Sequence, residues 1–215
     1  GNVPGEGMGA FAERRAVLNN HLEATRGLAA RYADGETPPD LVIWPESSTD
    51  IDPFADPTVY ADIQGVVDEL GVPILVGAMV GGEDPRDVFN QGIVWQPGTG
   101  PGERYSKRHP VPFGEYIPLR EQLAPYFERL DQIPRDMVPG TEPGVLEMNG
   151  IDFGLVICFE IAYDDLVREA VAEETQVLVV QTNNATYMGT GQVEQQFAIS
   201  RLRALETGRP VVVAA

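Results

Sequence analysis

A chain of 215 residues with 43% hydrophobic and 22% charged side chains lies in the range of ordinary globular domains, and its length suits one domain better than two. A formal charge of −18 argues against a nucleic-acid backbone as partner, because counterion release needs a basic surface, and an anionic membrane surface would repel it as well. No apolar run reaches the roughly 18 to 20 residues that span a bilayer, and the opening Gly1-Asn2-Val3-Pro4 lacks the character of a leader, so the chain is expected to be a soluble piece.

Apolar residues at helical spacing (Phe11, Val17, Leu18, Leu22 and Leu28) predict an amphipathic helix over 8–33. Asp40 then precedes the apolar run Leu41-Val42-Ile43-Trp44, and Pro45 stops it. That is the pattern of a buried strand, with Glu46 just past its end. Residues 57–70 read as a helix closed by Gly71, and 72–78 as a strand. A polar turn from Gly81 to Asp87 leads into a strand over 90–95, which Pro97-Gly98 closes. From Arg104 to Gly150 the pattern is irregular and rich in proline, and loops of that length inside a domain are usually functional or lid-like. Its apolar residues between 116 and 138, among them Tyr126, Phe127 and Leu130, either line such a lid or pack onto the domain. Residues 151–157 predict a strand and 161–174 a helix, with Cys158 at the junction. Thr175 to Thr182 reads as a buried strand, Gln192 to Thr207 as an amphipathic helix ended by Gly208, and 210–215 as the start of another strand. Strands alternating with helices indicate a layered α/β fold.

One cysteine excludes an internal disulfide, so Cys158 is either buried filler or chemistry. Lys107 is the single lysine beside 14 arginines. It either survived a compositional bias by chance or stands where a planar guanidinium cannot serve. A thiol between a strand and a helix meets backbone N–H groups that favour an anion, which lowers a thiol pKa and can supply an oxyanion hole. The bland reading of the same residue is a small buried hydrophobe. Glu46 and Lys107 also follow strands, where ligands gather in layered α/β folds, although singly each reads as readily as a solvated charge. If the three meet, the carboxylate can take the thiol proton and return it to a leaving group while the ammonium holds a negative oxygen.

Three segments, Leu41-Val42-Ile43-Trp44-Pro45-Glu46, Tyr105-Ser106-Lys107-Arg108-His109 and Gly154-Leu155-Val156-Ile157-Cys158-Phe159-Glu160, resemble the Glu, Lys and Cys blocks of the nitrilase, or carbon–nitrogen hydrolase, superfamily, in its order. Within it, Val111-Pro112-Phe113-Gly114-Glu115-Tyr116-Ile117-Pro118 looks like a block that follows the catalytic lysine in apolipoprotein N-acyltransferases and that soluble amidases typically lack. Gly1 to Pro4 and Arg203 to Pro210 likewise resemble that family's first strand and late helix. Two departures bear on acyl-chain preference: Phe159 where tyrosine is common, and Asn183-Asn184-Ala185-Thr186-Tyr187 in place of an Asn-Asp-Ala-Trp-Phe loop.

The resemblance implies a four-layer α-β-β-α sandwich of the nitrilase type, truncated at both ends, with residues 1–215 as one catalytic domain. The parent would carry membrane helices absent from this chain and hold the domain on the outer face of a bacterial cytoplasmic membrane; the fragment alone would have little activity. The implied reaction is ping-pong: Cys158 takes an acyl group from a phospholipid as a thioester and passes it to the α-amine of a diacylglyceryl-cysteine lipoprotein, with no metal or organic cofactor. Glu46 would be general base and then acid, and Lys107 would hold the oxyanion. Glu115 matches a second family glutamate that orients the lysine or assists proton transfer, or is a loop surface charge. Glu160 and Phe159 match supporting positions, though Glu160 could equally be a first-turn helix residue stabilised by the dipole. His109, beside Lys107, is not required by this chemistry. The alternatives are a soluble amidase that uses the same triad to pass the acyl group to water, and an α/β interaction domain in which Cys158 is filler.

Overall fold

In a computed structural model, which describes residues 14–33, 35–123, 135–172, 174–187 and 189–215, strong local signals set the helices. Helix α2 (Pro57–Leu70) follows helix α1 (Arg14–Ala33) in the chain and starts at Asp56, whose side chain accepts from the N–H groups of Thr58 and Val59. Pro57 fits its first turn, and Gly71 ends it at φ 74°. Val59, Ile63, Val66, Val67 and Leu70 form its buried face. Together with Leu18 and Leu22 of α1, that face covers one side of the first sheet.

The first sheet runs β1 (Val42–Ile43), β2 (Ile74–Gly81), β3 (Asp87–Gln96) and β4 (Gly100–Ser106), with β5 (Asp136–Met137) joined to the start of β3. β1 is parallel to β2, and β3 is antiparallel to both β2 and β4. The second sheet has the order β6 (Val145–Met148), β7 (Ile151–Ile157), β8 (Val177–Gln181), β9 (Val211–Ala214), antiparallel at β6–β7 and parallel thereafter. Leu75, Val94 and Tyr105 of the first sheet pack on Leu146, Phe153, Leu155, Ile157 and Val179 of the second. Each such fully buried aliphatic or aromatic side chain contributes about 1.5–3 kcal/mol. Helices α4 (Asp164–Ala170) and α5 (Gln192–Thr207) cover the far side of the second sheet, where Val156, Ile161, Val167, Leu178 and Val180 form a third cluster. The result is the α-β-β-α sandwich that the resemblance implied. Gly92 lets the sheets approach, since a Cβ there would lie 2.4 Å from the Leu155 side chain.

Several elements differ from the sequence expectation. The part of the first helix before residue 14, with Phe11, lies outside the described residues, as do Tyr126, Phe127 and Leu130. The segment 104–150 is not an irregular loop: it contains the end of β4, a short helix α3 (Arg120–Leu123), β5 and β6. Asn149 (φ 55°) and Gly150 (φ 78°) form the two-residue turn joining β6 to β7, a pairing that the Asn-Gly dipeptide favours. The helix predicted over 161–174 is divided into a 3-10 turn, Cys158–Ala162, and the short α4, because Tyr163 between them is extended (φ −92°, ψ 119°).

Helix α5 keeps its predicted bounds but turns the opposite way from a simple amphipathic helix. Gln196, Ser200 and Arg203 are buried, whereas Phe197, Leu202 and Leu205 are exposed, the last at 82%. Arg203 explains part of this inversion: its Nε donates to the Ile161 carbonyl (2.9 Å) and a terminal nitrogen to that of Ala162 (3.0 Å). The buried polar face of α5 thus fastens the turn that follows β7.

Candidate active site

β1 is only two residues long, and the chain after it is held to the sheet by polar contacts. Ser48 Oγ and the Thr49 N–H both donate to the Gly77 carbonyl (2.8 and 3.1 Å), and Gln181 of the second sheet donates to the Trp44 carbonyl (2.6 Å). Gly77 is required for this approach: a Cβ there would lie 2.1 Å from the Pro45 oxygen. The next side chain, Glu46, is 6% exposed and fully engaged. Its Oε1 accepts from Asn90 Nδ2 (2.7 Å) and Lys107 Nζ (3.2 Å), and its Oε2 from the Asn183 N–H (2.9 Å).

Lys107 leaves the end of β4 and has no exposed surface. Its N–H donates to the Asn90 carbonyl (2.8 Å) and its carbonyl accepts from Gly140 (2.9 Å), so backbone and side chain are both fixed. Nζ also donates to Glu115 Oε1 (2.6 Å), and Glu115 Oε2 accepts from the Val111 N–H (2.7 Å). Burial alone would drive the ammonium to release its proton, but Glu46 and Glu115 outweigh it and hold the lysine above its ordinary value. Glu115 is pushed up by burial, against the pull of Lys107, and the Glu46 charge adds to the rise. One cation is thus shared by two carboxylates, Glu46 buried and Glu115 partly buried.

Cys158 directly follows β7 with φ 57°, a left-handed conformation that costs a non-glycine residue about 1–3 kcal/mol and persists only where neighbours impose it. The principal neighbour is Glu160, which has no exposed surface. Its Oε2 accepts from the Ile157 N–H (2.8 Å) and Tyr105 OH (2.9 Å), its Oε1 from the N–H groups of Arg108 (2.6 Å) and His109 (2.9 Å). One carboxylate therefore ties the strand before Cys158 to the loop after Lys107. Burial pushes the Cys158 thiol up to about 12, with Glu46 adding to the rise and Lys107 and Thr182 opposing it. A thiol so placed is neutral at rest and needs a base to take its proton as it reacts. Tyr187, exposed at the rim, feels the charges of Cys158, Glu115, Lys107 and Glu46, which puts it at the edge of the cluster.

Glu46, Lys107, Glu115 and Cys158 thus come together, as the strand-end positions suggested for three of them. Glu115 contacts the lysine rather than lying as a loose surface charge. Glu160 does stand in the first turn of the short 3-10 helix, where it caps the Ile157 N–H, and it is also a buried anchor with four donors. Phe159 stands apart from the charges: it is 51% exposed and meets Tyr163 edge-on at 6.1 Å. The ring of His109 also packs edge-on against Tyr163 (4.3 Å). Asn90, Thr182 and Gln196 were missed by sequence reasoning, and Asn183 was noted only as part of a loop bearing on acyl-chain preference, not as a partner of Glu46. The signal available was polar residues within or directly after apolar strands, at Asn90-Gln91 and Gln181-Thr182.

Asp50 lies near the same cluster. Burial pushes its carboxyl up to about 6, against Arg14, and the Glu46 charge adds to the rise. Because the folded value exceeds the unfolded one, its favourable contribution is present below pH 4 and lost as pH rises through 6. Asp50→Asn should therefore gain stability relative to wild type by about 2 kcal/mol between pH 4 and pH 7.5. Urea unfolding at the two pH values checks this, and an equal difference at both would refute it.

Residues 8–215 match the sequence model of the carbon-nitrogen hydrolase family. The chain is 41% identical over 222 residues to the apolipoprotein N-acyltransferase of Mycolicibacterium smegmatis, an alignment that covers 100% of this chain and 36% of that protein. It is 30% identical over 188 residues to the apolipoprotein N-acyltransferase of Geobacter metallireducens, covering 86% and 36%. The chain therefore spans little more than a third of the length of these curated relatives. Among solved structures, a cysteine-to-alanine mutant of an amidase from Nesterenkonia AN1, of the nitrilase superfamily, superposes with a TM-score of 0.64 at 17% identity, over 92% of this chain and 70% of that one. That likeness is one of fold. With the family model matched over nearly its whole length, the chain belongs to the carbon–nitrogen hydrolase family.

Proposed function

We propose that residues 1–215 are the catalytic domain of an apolipoprotein N-acyltransferase, in which Cys158 carries an acyl group from a phospholipid to the α-amine of a diacylglyceryl-cysteine lipoprotein. Similarity to such an enzyme along the entire chain supports the reading. The observation that carries the chemistry is a fully buried lysine shared by Glu46 and Glu115, with the Cys158 thiol in the field of all three.

In this reading the sulfur attacks the ester carbonyl carbon of the phospholipid while the thiol proton passes to Glu46. The carbonyl oxygen becomes an oxyanion beside Lys107. Collapse breaks the ester C–O bond, and Glu46 returns the proton to the departing lysophospholipid. A thioester remains. The acceptor amine then attacks it, Glu46 takes the amine proton, and the expelled sulfur receives that proton as the amide forms. Glu115 keeps the lysine charged and aimed, and Glu160 positions both halves of the site. Exposed Phe159, Tyr163 and Tyr187 offer the acyl chains apolar contact.

Among the described residues no helix is long and apolar enough to cross a membrane. Membrane attachment, on the outer face of a bacterial cytoplasmic membrane, is assigned to the remainder of the parent protein. An amidase would run the same first half and use water in the second.

The test is intact mass of the full-length enzyme after incubation with phospholipid vesicles. A fatty-acyl adduct is expected on wild type and not on Cys158→Ala, and a diacylglyceryl peptide should discharge it at least about 100-fold faster than water does. No adduct on a folded enzyme removes the mechanism. An adduct that the peptide does not accelerate makes the protein a hydrolase.

A further inference from the structure

The sulfur of Cys158 has a neutral neighbour besides the charged ones. Gln196, on the buried face of α5, places Nε2 3.8 Å from Cys158 Sγ and 3.1 Å from Thr182 Oγ1. The Thr182 hydroxyl lies 3.3 Å from Asn184 Oδ1 and has no exposed surface. One set of donors consistent with these distances sends the two amide hydrogens of Gln196 to the sulfur and to Thr182, and the Thr182 hydrogen to Asn184. Thr182 Oγ1 also lies 3.2 Å from Gln196 Oε1 and is itself a hydrogen-bond partner of the sulfur. Gln196 is itself 8% exposed, whereas the adjacent Phe197 is 57% exposed. Burial of apolar surface alone would rotate α5 the other way. The amide is held inside at the expense of a phenyl ring left in water.

We propose that Gln196 is a catalytic residue, whose side-chain N–H donates to the Cys158 sulfur when that sulfur is negative, and that Thr182 positions the amide for it. The inference rests on the reading of Cys158 as nucleophile and adds to it the group that stabilises sulfur both as attacker and as leaving group.

The need for such a donor follows from the charges. The base that removes the thiol proton is an anion, so its field opposes the thiolate, and burial opposes it further. The one buried cation of the cluster is already engaged by two carboxylates. A further cation at the sulfur would also hold the carboxylate charge of Glu46 and blunt it as a base. A neutral N–H avoids that conflict, since it favours negative sulfur and leaves the net charge of the site unchanged. The sulfur is negative twice in the cycle, once on attack and once when the amine expels it, so one donor serves both half-reactions.

Cys158 is the sole cysteine, so alkylation of the full-length enzyme by iodoacetamide, followed by intact mass between pH 6 and 10, reports on this thiol alone. Gln196→Met is expected to slow alkylation about tenfold at each pH, so that the rate curve moves about one pH unit upward. Gln196→His, which restores a ring N–H on the same helix position, should recover most of the rate. Thr182→Val should move the curve in the direction of Gln196→Met, and Thr182→Ser should not. With phospholipid and acceptor, Gln196→Met should lower kcat about tenfold and leave KM for phospholipid within about twofold. Reactive wild-type Cys158 with an unmoved curve in Gln196→Met overturns the donor role and leaves the nucleophile reading intact. If Gln196→Met does not fold, an unmoved curve in Thr182→Val overturns it instead. A wild-type thiol inert throughout, with no acyl adduct, overturns both.

Discussion

Lys107→Met is expected to destabilise the protein by about 3–5 kcal/mol and to slow acyl-adduct formation by about 10²–10³-fold. Methionine fills the space of the aliphatic stem, so packing is largely retained. What is lost is the cation between Glu46 and Glu115, which leaves a buried and a partly buried carboxylate in each other's field. Glu115 already sits above the usual carboxylate range through burial, and without the lysine it rises further. The sign of the pH dependence follows. A carboxyl whose folded value is raised favours the fold below its unfolded value and loses that contribution as pH rises, so the variant should be weakest at alkaline pH and partly restored near pH 4. Lys107→Met combined with Glu115→Gln should recover part of the stability at pH 8 and none of the activity. Urea unfolding of the single and double variants decides: equal stabilities would mean that the lysine does not balance Glu115.

Glu160→Gln should be nearly as damaging, although Glu160 touches no reacting atom. Its four donors arrive from Tyr105, Ile157, Arg108 and His109, and a carboxylate can accept from all of them. An amide of the same shape presents an NH₂ where two of those donors point. Each buried donor left unpaired costs about 1–3 kcal/mol, so a loss of about 3 kcal/mol or more is expected. Activity should fall about 10²-fold in the fraction that remains folded, because the loop after Lys107 and the turn at Cys158 are no longer tied, and misplacement by about 1 Å carries that cost. Tyr105→Phe removes one donor of the four and should cost only about 1 kcal/mol. Melting temperature and single-turnover rate measured together test this. A Glu160→Gln variant with wild-type values for both would show that the carboxylate is not the link.

What the sequence revealed follows from how local each signal is. α2, β7 and α5 have the bounds expected because Asp56, Pro57, Gly71, the run from Ile151 to Ile157 and Gly208 act within a few residues of themselves. β4 was hidden because Gly100-Pro101-Gly102-Glu103 has neither alternation nor β-branched residues; it is a strand because β3 offers it partners. Glu46, Lys107 and Cys158 were visible as chemically apt residues at strand ends, and the resemblance ordered them. Glu160 was named as a supporting position by the resemblance alone, and its role as a buried anchor was not legible, since its burial is created by segments from three parts of the chain. The inward face of α5 was not legible for the same reason: periodicity places Phe197, Leu202 and Leu205 near one side of the helix, but the polar partners of Gln196 and Arg203 lie in other elements.

The chain builds its two sheets one after the other, the first from residues up to Met137 and the second from Val145 onward. Acid and amine hang from the earlier half, sulfur from the later one. On the proposed chemistry, reactivity is therefore a measure of registry along the seam between two hydrophobic slabs, and slippage there by a fraction of a side chain would silence it while every strand stayed intact.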